Sequence, residues 1–87
     1  MKTIRKYKIL PNCELMLNRG ARLLTCQIQK DDVYLWALLD TDELLIKYKF
    51  YTIGTGHDAT IVLDRLYLGT VQFSKIDLVF HVFYEVL

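Results

Sequence analysis

Several features that often identify a protein are scarce in this 87-residue sequence. It has one proline, four glycines and two cysteines, and its net charge is only +1. Two cysteines do not make a disulfide framework, so we expect a reducing, intracellular compartment. A net charge near zero argues against a general nucleic-acid binder that neutralises many phosphates. A chain of this length is expected to form a single domain, residues 1–87.

Long apolar segments are also missing. The longest candidate, residues 78–87, is interrupted by His81 and Glu85 and falls short of the roughly 20 residues that a membrane-spanning helix needs. Met1 is followed by charged residues instead of the apolar segment of a secretory signal. We therefore expect no membrane partner and no signal peptide.

Apolar and aromatic residues are plentiful. The chain is 53% hydrophobic and has one tryptophan, six tyrosines and four phenylalanines. A domain this small buries only about two-thirds of its unfolded surface, so its core must be dense or shared with another subunit. In residues 33–39 both the odd-numbered and the even-numbered positions are apolar. This pattern is typical of a strand that is covered on both faces, or of a central strand that lies beside a partner subunit. These features predict a homo-oligomer.

The hydrophobic pattern has a period of two. Leu24, Cys26 and Ile28 alternate with polar residues, and a polar turn at 30–32 separates them from the apolar run 33–39, which indicates a β-hairpin. In residues 44–51 one face is predicted to be core and the other mostly solvent-exposed. The expected strands are residues 3–10, 14–17, 24–29, 33–39, 44–53, 67–73 and 78–86. The predicted fold is all-β, an antiparallel sandwich or small closed sheet of six to seven short strands, with at most one short helix in residues 58–65.

Charge is clustered at two places. The first eight residues are basic, whereas residues 40–43 are acidic. One interpretation is an edge strand protected by lysines, with an acidic turn. The other is a basic patch for an anionic partner. The basic residues are Lys2, Arg5, Lys6 and Lys8.

The segment Gly54-Thr55-Gly56-His57 is the place where glycine, hydroxyl groups and a titratable ring occur together. Glycines allow backbone N–H groups to converge on an anion, which predicts a ligand-binding loop. The alternative is a tight turn that needs a positive φ. The segment matches neither a phosphate-binding loop nor a dinucleotide fingerprint. The candidate ligand-binding residues are Gly54, Thr55, Gly56, His57, Tyr51, Lys49 and Arg65.

Metal and catalytic sites are not expected. Two histidines, His57 and His81, with scattered carboxylates do not supply the three protein ligands that a metal usually needs. His81 shares a strand face with Val79 and Phe83, which favours a partly buried, hydrogen-bonded histidine. No Ser-His-Asp or Cys-His arrangement is evident, so we predict no enzyme activity, no cofactor and no metal.

Several blocks resemble a family of short, uncharacterised domains of bacteriophages and prophages. They are Lys6-Tyr7, residues 20–29, residues 35–40, Gly54-Thr55-Gly56-His57, residues 67–70 and Leu78-Val79-Phe80-His81-Val82-Phe83. The resemblance covers nearly the whole chain but brings no established activity. It implies a phage accessory protein in the cytoplasm of an infected bacterial host. Small phage proteins of this kind often counter host defence by binding another molecule.

Two functions follow as hypotheses. The first is a non-enzymatic, homo-oligomeric module that sequesters a small anionic, nucleotide-like ligand to counter host defence. The second is a protein–protein interaction module that inhibits or redirects a host protein through exposed aromatic residues and an edge strand.

Overall fold

A computed structural model describes residues 1–87 as two antiparallel sheets. Strand β4 is central in a three-stranded sheet of order β1-β4-β3, and the other sheet has the order β2-β5-β7-β6. The strands are β1 (Lys2–Ile9), β2 (Glu14–Asn18), β3 (Arg22–Gln29), β4 (Asp32–Asp40), β5 (Leu45–Gly54), β6 (Leu66–Gln72) and β7 (Val79–Val86). The predicted all-β antiparallel sandwich is confirmed. The one helical segment is a 3-10 turn at Thr60–Val62, inside the interval predicted for a short helix.

The core lies between the two sheets and is built from alternate residues of each strand. Leu17, Leu35, Phe50 and Val82 are its largest fully enclosed side chains. Leu35 lies on β4 of the smaller sheet, whereas the other three lie on β2, β5 and β7 of the larger one. Because side chains alternate across a strand, each of these strands turns its neighbouring residues away from the core.

Strands β3 and β6 approach each other closely at one side of the sandwich. Each has an irregular register, between Leu23 and Thr25 in β3 and between Tyr67 and Gly69 in β6. A Cβ atom on Gly69 would lie only 2.8 Å from Cys26 Sγ. Cys26 is buried, as predicted, and its burial raises the pKa of the thiol. The missing side chain of Gly69 therefore lets the sheets meet there.

The predicted hairpin is present as β3 and β4. Its connection is two residues long, and both of them, Lys30 and Asp31, have positive φ angles of 53° and 67°. This is the backbone of a type I′ turn, whose twist matches that of the paired strands. β4 buries Leu35, Ala37 and Leu39, but its other face is not covered by the chain.

The outward face of β5 was predicted to be mostly exposed, and this is wrong for Tyr51, which is only 3% exposed. The Lys49 Nζ atom lies 5.3 Å and the Arg65 guanidinium carbon 5.4 Å from the centre of the Tyr51 ring. Arg65 follows the 3-10 turn, so a segment distant in sequence covers this face. No helical segment of this protein has the length and apolar character that a membrane span requires.

Candidate functional site

The segment Gly54-Thr55-Gly56-His57 forms a tight turn. The backbone N–H of His57 donates to the Gly54 carbonyl oxygen at 3.1 Å, and Gly56 at the third position has φ +86°. A positive φ at this position is the requirement that glycine meets in a type II turn. The N–H of Thr55 donates to the Val79 carbonyl oxygen at 3.1 Å. Two of the amides that would contact an anion are therefore already bonded within the protein.

The Thr55 hydroxyl is also engaged inside the fold, at His81. Its Oγ1 atom lies 2.8 Å from His81 Nε2, and the Thr70 Oγ1 atom lies 2.9 Å from Nδ1. The Tyr67 hydroxyl extends this chain to Thr70 at 2.5 Å. His81 is thus the partly buried, hydrogen-bonded histidine that the sequence predicted, and its ring joins the end of β5 to β6.

A cavity of about 230 Å³ lies beside the turn. Gly54, Thr55 and His57 line it together with Asp77, and no lysine or arginine is among its lining residues. The Asp77 carboxylate and the absence of cations disfavour a phosphate there. The structure thus brings three of the four turn residues to one cavity, without Gly56, and does not give that cavity the charge that an anionic ligand requires.

Tyr51, Lys49 and Arg65 lie together in a different place, on the outward face of the four-stranded sheet. Their anionic partner is a residue of the same chain, Glu85. The Tyr51 hydroxyl donates to Glu85 Oε1 at 2.6 Å, and Arg65 Nε lies 3.0 Å from Glu85 Oε2. The Tyr51 hydroxyl, and after it the Glu85 carboxylate, raises the pKa of Arg65. Lys49 precedes Gly54 by five residues on one strand, a distance of about 16 Å. The seven predicted ligand-binding residues therefore form two separate groups. In the group around Tyr51, the Glu85 carboxylate already occupies the place of an anionic ligand.

The outward face of the three-stranded sheet presents a different arrangement. In the pairing of β1 with β4, Lys8 is opposite Tyr34 and Lys6 is opposite Trp36. Directly opposed residues in an antiparallel pair point to the same side of the sheet. β3 adds Arg22, which is opposite Leu38. We call this surface the open face: Lys2, Ile4, Lys6, Lys8, Arg22, Thr25, Gln27, Tyr34, Trp36 and Leu38.

Two aromatic rings form the middle of the open face. Tyr34 and Trp36 are half-buried neighbours on β4, with ring centres 6.4 Å apart. The Lys6 Nζ atom lies 4.7 Å above the Tyr34 ring and donates to Gln29 Oε1 at 2.8 Å. Lys8 is 3.5 Å from an Asp32 carboxylate oxygen. The rings are therefore bordered by ammonium groups along β1.

Three cations of the open face form no ion pair: Lys2, Lys6 and Arg22. Two of them, Lys2 and Arg22, also line a cleft of about 400 Å³ at one end of the face, together with Leu38 and Asp40. Cavities of a few hundred Å³ are typical of small-molecule sites. The Arg19 guanidinium in this cleft is paired with Glu43 at 3.2 Å, so the free positive charge comes from the open face itself.

The sequence predicts only part of the open face. Lys2, Lys6 and Lys8 belong to the basic stretch that is one candidate patch for an anionic partner, whereas Tyr34 and Trp36 are predicted only as part of a hairpin. What joins them is the register of β1 on β4, which pairs Lys6 with Trp36 thirty residues away. No three His, Cys, Asp or Glu side chains are grouped so as to hold a metal ion.

The fold and this surface define a two-sheet all-β domain with one basic, aromatic sheet face uncovered. The chain belongs to the DUF7352 family, a domain of unknown function, and the match extends over residues 1–87. No curated protein and no solved structure matches it.

Proposed function

We propose that this protein is a non-enzymatic binding module for an anionic, nucleotide-like ligand, which it holds on the open face. The observation that carries the proposal is the pair of half-exposed rings, Tyr34 and Trp36, on one sheet face with two cations that lack a carboxylate partner, Lys6 and Arg22. An exposed ring stacks on a base, and an unpaired lysine or arginine binds a phosphate. Both halves of a nucleotide therefore have a partner on one surface.

The ligand class is the one that the sequence predicted, but the contact residues differ. We assign Tyr51, Lys49 and Arg65 to the stability of the four-stranded sheet, because Glu85 already binds the tyrosine and the arginine. The Gly54–His57 turn is assigned to the joint between β5 and β7. In their place, Trp36 stacks the base, while Lys6 and Arg22 bind phosphate.

The open face presents neither histidine nor cysteine, so the proposal is capture without chemical turnover. Sequestration of a nucleotide signal, in a phage accessory protein that counters host defence, fits such a module. That setting rests on the sequence resemblance to phage domains, and self-association rests on the excess of apolar strand faces. Both stay predictions.

The proposal is tested by thermal shift with a panel of linear and cyclic nucleotides. A ligand at a hundred times its Kd adds about 2.7 kcal/mol to the free energy of unfolding, so the melting temperature must rise. The variant Arg22→Gln should lose the shift, whereas Lys47→Gln, on the four-stranded sheet, should keep it. Melting that no nucleotide changes would contradict the proposal.

A second function, protein–protein interaction, is favoured by the position of β1. This eight-residue strand pairs only with β4, so its other edge carries free backbone N–H and C=O groups. A partner strand can add to such an edge, while its lysines discourage pairing between copies. A pull-down in nucleotide-free buffer tests this alternative, and a stoichiometric protein partner retained there would favour it over nucleotide capture.

A further inference from the structure

We infer that the ligand of the open face is single-stranded nucleic acid, bound over several consecutive nucleotides along β1 and β4. This inference rests on the proposed function, because it uses the same surface. It adds a statement about the length of the ligand, which we derive from the spacing of the rings and cations.

The two rings, tilted by 54° to each other, supply two adjacent stacking positions, and a base reaches the Tyr34 face that Lys6 covers once this lysine turns to a phosphate. Tyr34 and Trp36 are two residues apart on β4, so both point outward, and their centres are 6.4 Å apart. A mononucleotide has one base and leaves one ring unused. Gln27 and Thr25 are opposite these rings on β3 and place polar side chains where the edges of stacked bases would lie. Two consecutive bases therefore match this surface better than one.

The cations extend beyond the rings in one direction. Lys2 and Lys8 lie on the same strand, six residues apart, which is about 20 Å. Lys6 is opposite Trp36, and beyond it Lys2 and Arg22 line the 400 Å³ cleft. A row of phosphates is the ligand that contacts cations at both positions, so the nucleic acid continues from the rings into the cleft.

A single strand fits this surface better than a duplex. The bases of a duplex are stacked on one another and have no free face for Tyr34 or Trp36, whereas those of a single strand are free to stack on protein rings. Duplex binding relies mainly on phosphate neutralisation, and the net charge of +1 is small for that purpose. Ile4 and Leu38, 56% and 38% exposed, extend the apolar floor between the rings and the cleft.

The carboxylates are located so that the middle of the face stays positive. Asp32 lies at one end of β4 and Asp40 at the other, and they neutralise Lys8 and the amino group of Met1. Lys6 lies between them without a carboxylate. A polyanion therefore meets one uncompensated ammonium group, that of Lys6, beside the rings, and two further unpaired cations, Lys2 and Arg22, at the cleft.

Trp36 is the only tryptophan, so its emission reports directly on this surface. The experiment titrates the protein with (dT)10, (rU)10, dTMP, a cyclic dinucleotide and a ten-base-pair duplex, following Trp36 fluorescence. Both ten-nucleotide strands should bind at least ten-fold more tightly than dTMP, the cyclic dinucleotide or the duplex. With three phosphate contacts, the slope of log K against log salt for a single strand should be about −2.

Variants locate the contacts, with anisotropy of a labelled (dT)10 as the measurement. Tyr34→Leu and Trp36→Leu should each weaken binding about 5-fold or more, the loss expected from one stacked base. Lys6→Gln and Arg22→Gln should each reduce the salt slope by about 0.7. Lys47→Gln serves as the matched control and should change neither quantity, and melting curves confirm that each variant is folded.

The outcomes separate the two proposals. If dTMP or the cyclic dinucleotide binds as tightly as (dT)10, the strand inference is overturned and the nucleotide-binding proposal stands. If the duplex binds as tightly as the single strands, the inference is also overturned. If no nucleotide of any length binds, both proposals are overturned.

Discussion

The outward faces of the two sheets use the same kind of residues to different ends. On the four-stranded sheet Lys49 lies over the Tyr51 ring, and on the three-stranded sheet Lys6 lies over the Tyr34 ring. Only the first pair is covered, because Arg65 and Glu85 close over Tyr51 and leave it 3% exposed. A lysine beside an aromatic ring is therefore not in itself a binding site. A neighbouring carboxylate and a covering segment make it part of the fold, and without them it remains available to a ligand.

The largest expected difference between the faces is in stability. Tyr51→Ala should lower the free energy of unfolding by about 3–5 kcal/mol, because it removes a buried aromatic ring. Trp36→Ala should lower it by less than about 1 kcal/mol, because its ring is not enclosed. Urea denaturation measures both. Equal losses would show that the open face is packed as firmly as the other.

The contact between the sheets tests whether the open face depends on the opposite sheet. Gly69→Ala should cost about 1–3 kcal/mol, because its new methyl group meets Cys26 Sγ. Adding Cys26→Ala removes the sulfur, so the double variant should lose less stability than the sum of the two single variants. Nucleotide affinity of the folded Gly69→Ala protein should be unchanged, and a loss of binding would show that the faces are coupled.

A smaller effect concerns the tyrosine hydroxyl groups. Tyr51→Phe removes a hydrogen bond to the Glu85 carboxylate and should cost about 1–2 kcal/mol. The matched change on the open face, Tyr34→Phe, should stay within about 0.5 kcal/mol, as is usual for a surface substitution. Chemical denaturation of the two variants measures both losses. A larger loss of unfolding free energy for Tyr34→Phe than for Tyr51→Phe would contradict the prediction.

The smallest effect is a pH dependence that originates at Cys26, on the core side of the sheet that carries the open face. Burial raises the pKa of this thiol above its ordinary value of 9.0, so the unfolded chain loses the proton first as the pH rises. The thiol's contribution is complete below pH 9 and is lost as the pH rises through the folded pKa. The difference in unfolding free energy between wild type and Cys26→Ala, measured from pH 8 to 10.5, should shrink. A constant difference would contradict the prediction.

Much of the fold was predictable because strand and turn signals are local. The alternation around Cys26, the polar turn predicted at residues 30–32, and the interruption by Pro11 locate the strands to within a residue or two. Pairing between distant strands is not a local property. Nothing in the sequence of β5 indicates that β2 and β7 lie on either side of it.

The candidate site shows the same limit. Sequence reasoning selected Gly54 and His57 because glycine and histidine stand out in a short stretch, yet there the backbone needs a positive φ and the Thr55 hydroxyl serves His81. The apolar run of β4 predicted cover on both faces or a partner subunit, and the chain itself covers one face. Which residues of β4 point outward depends on how the sheets pack, and the register of β1 on β4 places Trp36 beside Lys6.

The position of β7 has a consequence for how the domain is assembled. This strand comes after all the others along the chain, yet it lies between β5 and β6. Until it has been synthesised, β5 can pair only with β2, and β6 has no neighbouring strand in its sheet. Because such pairing joins residues far apart in sequence, the larger sheet should form slowly for the chain's size and only once β7 is available. A nascent chain on the ribosome would thus keep two unfinished strand edges exposed, where chaperones have most to protect.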